Sequence, residues 1–110
     1  MAEPATPPAN PLDETLSINY QALVRSGIEK NRHYPRRDRR RRNQGQSIVE
    51  FTIKQDGSIS GIHIIASSGH ASLDRATIQA VKNIDGDFPI PDALGRDSWT
   101  FSIPVIYRLR

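Results

Sequence analysis

The stretch that decides the fold is "SIVEFTIKQDGSISGIHII", residues 47–65. Over residues 49–53, apolar and polar side chains alternate, which predicts a strand with one buried and one exposed face. The Asp56-Gly57 pair that follows is a strong signal for a tight turn. A returning strand over residues 59–65 would place two further isoleucines on the buried face, Ile62 and Ile64. The stretch therefore predicts an antiparallel β-hairpin.

The end of the chain, "WTFSIPVIYRLR" at residues 99–110, predicts a third strand. Apolar residues occupy every second position from Trp99 to Leu109, so one face of this strand is expected to be buried. Pro104 has no N–H to donate to a neighbouring strand, which predicts that the strand lies at the edge of its sheet. A long and partly open edge can recruit an extended peptide by strand addition.

Two helices are predicted before the hairpin and one after it. Apolar positions spaced by three and four predict an amphipathic helix over residues 12–30, with an inner stripe of Leu16, Tyr20, Leu23, Val24 and Ile28. Gly27 is expected to weaken its end, and Tyr34-Pro35 prevents its continuation. A short second helix after Pro35 is expected to stop near Asn43–Gly45. The third helix, "SLDRATIQAVKNI", has the inner stripe Leu73, Ala76, Thr77, Ala80, Val81 and Ile84.

The order of elements, α-α-β-β-α-β, predicts an α+β fold in which helices cover one face of a three-stranded antiparallel sheet. The first eleven residues contain four prolines and show no periodicity, which is typical of an extended linker. We therefore expect residues 1–14 to be the remnant of a Pro-rich linker and residues 15–110 to form the folded domain. We interpret the linker as the end of a longer spacer from which the domain was excised. The segment "DGDFPIPDALGRDS", residues 85–98, is predicted to be a loop.

The basic residues are concentrated in one run, "RRDRRRR" at residues 36–42. This run holds six arginines and one aspartate, whereas the rest of the chain has nine basic and eleven acidic residues. A basic run indicates nucleic-acid binding as one hypothesis. A duplex-binding domain normally spreads its positive charge over a face, and here the remainder is slightly negative. The competing interpretation is a solvated helix face, in which arginine stems also cover apolar surface.

No pattern in the sequence indicates catalysis. His33, His63 and His70 lie in unrelated segments without the spacing of metal ligands, and we interpret them as solvated surface residues, with His63 on the open face of its strand. The carboxylates are scattered, and Ser67-Ser68-Gly69 lacks the flanking pattern of a nucleophile elbow. The chain contains no cysteine, so disulfides and thiolate metal sites are excluded. We therefore predict no enzyme, no metal and no cofactor.

Several short motifs in a fixed order resemble a known family. They are a Tyr-Pro pair followed by an Arg-rich turn, then "GQSIVEFTIKQDGSISGIHIIASSGHASLDRATIQAV", "FPIP" and the terminal "FSIPVIYRL". Together they resemble the C-terminal domain of TonB, the periplasmic energy transducer of Gram-negative bacteria, over roughly residues 16–110. Each motif is weakly specific alone, and the specificity lies in their joint order.

The resemblance implies a domain of a protein anchored in the inner membrane, which works with ExbB and ExbD through a region absent from this chain. Such a domain binds outer-membrane receptors for iron–siderophore complexes, haem or cobalamin, and transmits energy from the proton-motive force to them. A short receptor segment, the TonB box, is added as a strand beside the last strand of the domain. Carried over by position, the residues that bind this segment are Phe101, Ser102, Ile103, Pro104, Val105 and Ile106, together with Asn31, Arg32, His33, Tyr34 and Pro35.

By the same resemblance, Arg36 and Arg37 are expected to contact the receptor plug, because Arg37 matches a family arginine that approaches it. No partner is assigned to Arg39–Arg42. By the same resemblance, we expect the extra C-terminal strand of some family members to be absent, which would permit a strand-exchanged homodimer. Two alternatives remain: a basic-patch module that binds nucleic acid, and the related domain of TolA, which also presents a sheet edge. The interleaved aromatic residues that support RNA or single-strand binding are missing.

Overall fold

The structure, a computed structural model, describes the backbone of residues 11–109 and the side chains of residues 14–109. Helices pack on one face of a single sheet, and the elements follow one another in the order that the sequence predicts. They are α1 (Pro11–Asn31), α2 (Arg36–Arg40), β1 (Gly45–Lys54), β2 (Ile59–Ala66), α3 (Ala71–Asn83), a short 3₁₀ helix (Asp92–Leu94) and β3 (Ser98–Tyr107). The predicted α+β fold with an antiparallel three-stranded sheet is therefore confirmed.

The strands lie in the order β2-β1-β3, so that β1 is central and β3 is an edge strand, as Pro104 predicts. The ladder between β1 and β3 runs without interruption over ten residue pairs, from Gly45–Tyr107 to Lys54–Ser98. The ladder between β1 and β2 has two irregularities, one of which skips Ile65. At the hairpin turn, Gly57 has a φ of 91°, a left-handed conformation that glycine adopts without steric cost.

The core lies between the helices and one face of the sheet. Alternate residues of β1 and β3 enter it, and the buried stripe of α3 matches the predicted one, with Ala76 half-buried at its margin. The buried apolar residues are Tyr20, Val24, Ile28, Val49, Phe51, Ile53, Leu73, Ala80, Val81, Ile84, Ile90, Phe101, Ile103, Val105 and Tyr107. Because the helices cover a single face, the other face of the sheet and the outer edge of β3 are left uncovered by α1, α2 and α3.

Helix α1 continues past Gly27 to Asn31, close to its predicted end, and a weakening effect of Gly27 stays a prediction. A Cβ at residue 27 would lie 2.5 Å from the ring of Phe88, so the glycine admits this ring against the helix. The prediction that Leu23 belongs to the inner stripe of α1 is wrong, since this side chain is 57% exposed. The side chains of the stripe that are buried are Tyr20, Val24 and Ile28.

The second helix and the late loop also differ from expectation. Helix α2 ends at Arg40 rather than near Asn43–Gly45, and the left-handed residue after it is Arg42, with a φ of 56°. The N–H of Asn43 donates to the carbonyl of Asp38 at 2.8 Å and closes this turn. The segment predicted as a loop contains the 3₁₀ helix Asp92–Leu94, which follows Pro91. The Pro-rich residues 1–10 lie outside the described part of the chain, and the proposed boundary at residue 14 stays a prediction.

Candidate functional site

The outer edge of β3 presents main-chain groups at alternate residues. In an antiparallel ladder, the N–H and C=O of one residue point to the same side, and the next residue points to the other side. Pro104 has no N–H, and it lies within an unbroken ladder between β1 and β3. If its nitrogen faced β1, a hydrogen bond of this ladder would be missing, so we infer that the nitrogen faces outward. The carbonyl of Ile106, two residues later, accepts a hydrogen bond from Arg32 outside the sheet. The even-numbered residues of β3 therefore face the open edge.

This parity determines which of the predicted edge residues present main-chain groups outward. Ser102, Pro104 and Ile106 do, together with Thr100. Phe101, Ile103 and Val105 direct their main-chain groups to β1 and bury their side chains in the core. In the part of the chain that the structure describes, no further strand pairs with this edge.

The second edge of the sheet, formed by β2, is a poorer template for strand addition. Its two register irregularities bend the strand, and Gly61 has a φ of 65°. Irregular edge strands resist pairing with another chain, whereas a regular edge invites it. Of the two edges among residues 11–109, that of β3 is the one suited to accept an extended peptide.

Two residues of the segment between α1 and α2 turn toward the end of β3. The guanidinium of Arg32 donates to the carbonyl of Ile106 and lies 5.5 Å from the centre of the Tyr107 ring. The Tyr34 ring meets the Tyr107 ring edge-on at a centroid distance of 5.4 Å, and its hydroxyl donates to the carbonyl of Asn43. Burial raises the pKa of the Tyr107 hydroxyl above its usual value, although its hydrogen bond with Thr77 opposes this shift.

Asn31, the last residue of α1, and two residues of this segment line a groove beside α3. Asn31, His33 and Pro35 form one wall of an open groove of 410 Å³, and Ser72, Arg75, Ala76, Gln79 and Asn83 form the other. The Nδ2 of Asn31 donates to the carbonyl of Gly27 at 2.8 Å, which holds its amide at the end of α1. The segment 31–35 therefore has two sides, one against β3 and one lining this groove.

The Arg-rich run is held in place by the one acidic residue within it. Asp38 is 1% exposed, and its Oδ1 accepts hydrogen bonds from Asn43 Nδ2 at 2.9 Å and Ser72 Oγ at 2.7 Å. Its Oδ2 has no hydrogen-bond partner among the described residues. The bond from Asn43 lowers the pKa of Asp38; burial opposes this, and the bond from Ser72 and the charges of His70 and Arg37 add to the lowering.

Asp38 thus ties α2 to the start of α3 and turns the arginines outward. All six arginines of residues 36–42 are exposed, among them Arg36 and Arg37. The ion pairs among the described residues, Arg32 with Glu29 and His63 with Glu50, involve none of the six. Their side chains form a solvated surface, and the run directly follows residues 31–35.

A second carboxylate explains the motif "SSGHASLDRA". Asp74 accepts hydrogen bonds from Ser47 Oγ at 2.7 Å, from Ser68 N at 2.9 Å and Ser68 Oγ at 2.8 Å, and from Ser67 Oγ at 2.5 Å. Burial alone would raise the pKa of Asp74, but these four hydrogen bonds outweigh it and lower the pKa to about 2. The carboxylate joins β1, the turn after β2 and α3.

The structure brings together the two predicted groups of site residues, since Arg32 and Tyr34 contact the end of β3. It does not bring Asn31, His33 and Pro35 to that strand; these line the groove at α3.

The sequence reasoning missed Asp38, and the only signal was an acidic residue within a basic run. His63, predicted on the open sheet face, is exposed there, and its Nε2 lies 3.4 Å from Oε1 of Glu50. Among the described residues, no three potential metal ligands cluster.

Comparison with known proteins gives consistent matches. The family described as "Gram-negative bacterial TonB protein C-terminal" matches residues 30–109, well over half of the chain. "Protein TonB" of Pasteurella multocida (strain Pm70) is 36% identical over 90 residues, which cover 82% of this chain and 34% of that protein. "Protein TonB" of Helicobacter pylori (strain J99 / ATCC 700824) is 28% identical over 109 residues, 99% of this chain and 38% of that protein. The chain thus spans little more than a third of the length of these relatives.

Solved structures show the same fold. A solution structure of the Helicobacter pylori TonB C-terminal domain superimposes with a TM-score of 0.74 at 24% identity, covering 96% of this chain and 98% of that one. The structure of the HasB C-terminal domain gives a TM-score of 0.56 at 25% identity, covering 99% of this chain and 83% of that one. Among residues 11–109, no helix has the length and apolar character needed to cross a membrane.

Proposed function

Because this chain belongs to the family of Gram-negative TonB C-terminal domains, we propose that it captures a short extended segment of an outer-membrane receptor by strand addition to β3. The observation that carries the proposal is the regular open edge of β3. Its outward N–H groups at Thr100, Ser102 and Ile106 and its outward carbonyls form the template that main-chain pairing requires. The role is binding and transmission of force, without catalysis or a cofactor.

The segment 31–35 supplies side-chain contacts beside this template. Arg32 and Tyr34 stand at the end of β3, while His33 and Asn31 offer polar groups in the groove toward α3. We propose that main-chain pairing gives affinity and that these neighbouring side chains give specificity. Arg36 and Arg37, exposed and next to this segment, are proposed to contact acidic surface of the receptor plug.

The wider role follows from the family and extends beyond this chain. We propose that the domain works in the periplasm as part of a TonB-like energy transducer anchored in the inner membrane and coupled to ExbB and ExbD. The receptors would be those that import iron–siderophore complexes, haem or cobalamin. The relatives called "Protein TonB", about three times longer than the matched region, support this role by their resemblance.

An NMR titration tests the capture step. The isotope-labelled domain is titrated with a TonB-box peptide while the backbone amides are followed. We expect shifts concentrated at residues 31–37 and 99–107, with the amides of Thr100 and Ser102 changing strongly. A scrambled peptide of the same composition is the control. The absence of any response at millimolar peptide would contradict the proposal.

The same titration separates the proposal from its competitors. An oligonucleotide is expected to produce at most weak shifts at the Arg-rich run that vanish with salt, because exposed charges are screened. Tight oligonucleotide binding without peptide binding would favour the nucleic-acid hypothesis instead. A homodimer that exchanges strands at β3 would occupy the edge to which the peptide binds. Sedimentation at rising protein concentration would detect such a dimer, and added peptide would convert it to monomer.

A further inference from the structure

One side chain of the protein already occupies part of the open edge. The guanidinium of Arg32 donates to the outward carbonyl of Ile106, lies over the Tyr107 ring at 5.5 Å and pairs with Glu29 at 3.6 Å. These contacts hold it from three directions: the strand edge, the helix-side face of the strand, and α1. The Arg32 side chain is 31% exposed, so most of its surface is covered by the protein.

We propose that Arg32 caps the open edge of β3 and ends the register of an added strand before Ile106. The proposal rests on the capture function and adds a limit to it: an incoming strand pairs with Thr100, Ser102 and the carbonyl of Pro104, and stops there. Arg32 is in this sense a positioning residue, which determines how many main-chain bonds a partner makes.

The limit follows from a competition for one acceptor. To pair at Ile106, an added strand must supply an N–H to a carbonyl that already accepts a charge-assisted hydrogen bond, which is stronger than a neutral one. It must also displace the guanidinium from the Tyr107 ring and from Glu29. Pairing at Ile106 would add at most the N–H and C=O bonds of that one residue, and these do not compensate for the loss of the charge-assisted bond, the ring contact and the ion pair. Pairing is therefore favourable up to Pro104 and unfavourable beyond it.

Arg32 and its two chain neighbours contact different parts of the fold. Arg32 lies between Asn31 and His33, which line the groove, while its own side chain reaches β3. A peptide that continues past Pro104 along the edge therefore meets the guanidinium at Ile106. The edge available to a partner is short, and lengthening the partner beyond it brings no further main-chain bond.

Hydrogen exchange reads the register directly, because the N–H of Ile106 faces the same open side as its carbonyl. In the unaltered protein, bound peptide is expected to slow exchange at Thr100 and Ser102 by about tenfold or more and to leave Ile106 unchanged. In the variant Arg32→Met, the stem still packs on Tyr107 but no donor remains, so Ile106 is expected to become protected as well. Arg108→Ala, which removes an exposed arginine at the same strand end, is the control.

Peptide length supplies an independent measurement. Extending the peptide by two residues at the end that faces Ile106 is expected to leave the Kd for the unaltered protein unchanged. For R32M, the extension is expected to tighten the Kd about threefold or more, because the main-chain groups of Ile106 can then bond to the added residues. One peptide is extended at its N-terminus and another at its C-terminus, so the end that faces Ile106 need not be known beforehand.

The outcomes separate the cap from the capture function. Protection of Ile106 in the unaltered protein, or its absence in R32M while Thr100 and Ser102 are protected, would overturn the cap and leave strand addition standing. No protection at any β3 residue in either protein would overturn strand addition and the cap with it. If R32M loses its dispersed amide spectrum, Arg32→Leu, which also has no hydrogen-bond donor, replaces it in the same measurement.

Discussion

Pro104 lies opposite Ile48 in the unbroken ladder between β1 and β3, with its nitrogen on the open side of the sheet. The same residue thus marks the edge strand and shows which main-chain groups are available to a partner. A proline at an odd-numbered position of β3 would instead remove a hydrogen bond to β1. Its placement keeps the sheet intact while it removes one outward donor.

Ser102→Pro is expected to weaken peptide capture because it removes a second outward N–H from the same edge. The loss of one main-chain hydrogen bond predicts a Kd about threefold to tenfold higher, with little change in the folded state, since Ser102 makes no main-chain bond to β1. Calorimetric titration with the peptide measures the effect. Ser102→Ala, which keeps the N–H, is the matched control, and an unchanged Kd for S102P would exclude this edge as the docking site.

Reversing the charges of Arg36 and Arg37 is expected to affect binding to a whole receptor more than binding to a peptide. Both side chains are exposed and no ion pair among the described residues involves them, so R36E/R37E should leave the fold intact. Because the charge of Arg37 favours the ionised form of Asp38, we expect a stability loss of at most about 1 kcal/mol. The salt dependence of receptor association, measured by surface plasmon resonance, should become shallower. The matched variant R40E/R41E should behave like the unaltered protein; equal losses in both would indicate a nonspecific charge effect.

Acid stability is expected to depend on Asp74. Its pKa is about 2 in the folded protein and 3.8 in an ordinary environment, so its contribution is present above about pH 4 and is lost as the pH falls toward 2. Because the carboxylate is partly solvated, we expect a contribution of about 1 kcal/mol. Chemical denaturation of D74N between pH 2 and pH 6 should show a lower stability at pH 6 and a shallower loss on acidification. Parallel curves for D74N and the unaltered protein would contradict this role.

Removing the buried carboxylate of Asp38 is expected to destabilise the region that presents the arginines. Asp38→Ala leaves Asn43 and Ser72 without their acceptor and should cost about 2 kcal/mol. Asp38→Asn keeps the volume and one acceptor oxygen and should cost less. Urea unfolding gives both values, and amide exchange at residues 36–43 should rise in D38A. A stability equal to that of the unaltered protein would mean that Asp38 does not hold α2.

Gly45 is expected to tolerate no side chain. A Cβ there would lie 2.5 Å from the carbonyl oxygen of Ser68, whose N–H is held by Asp74 at 2.9 Å, so the oxygen has little freedom to move away. Gly45→Ala should cost about 2 kcal/mol through this overlap. Thermal unfolding measures the cost, with Gln46→Ala, at the exposed neighbour, as the control. A loss of thermal stability in Q46A but not in G45A would contradict this overlap.

The fold was predictable in its main lines because each element carries its own local signal. The alternation in β1, the Asp56-Gly57 turn and the spacing in α3 each follow from neighbours in the chain, and the structure confirms them. Leu23 shows the limit of this reasoning. Its spacing fits the buried stripe of α1, but which side of a helix faces the sheet is settled by the packing of distant residues, and it is exposed.

The site was predictable only in part. The family resemblance points to β3 and to residues 31–35, and the edge position of β3 follows from Pro104 alone. That Arg32 and Tyr34 turn to β3 while Asn31, His33 and Pro35 turn to α3 depends on how α1 ends against Tyr107. The burial of Asp38 depends on Ser72, which is 34 residues away in the chain. Local sequence carries no signal for such pairs.

The sequence by itself determined the strands, the hairpin turn, the third helix and the placement of β3 at an edge, because periodicity, turn chemistry and the missing N–H of proline act within a few residues. The tertiary structure alone decided where Arg32 reaches, how Asp38 is buried and which serines surround Asp74. These depend on contacts between segments far apart in the chain, which form only when the core brings those segments together.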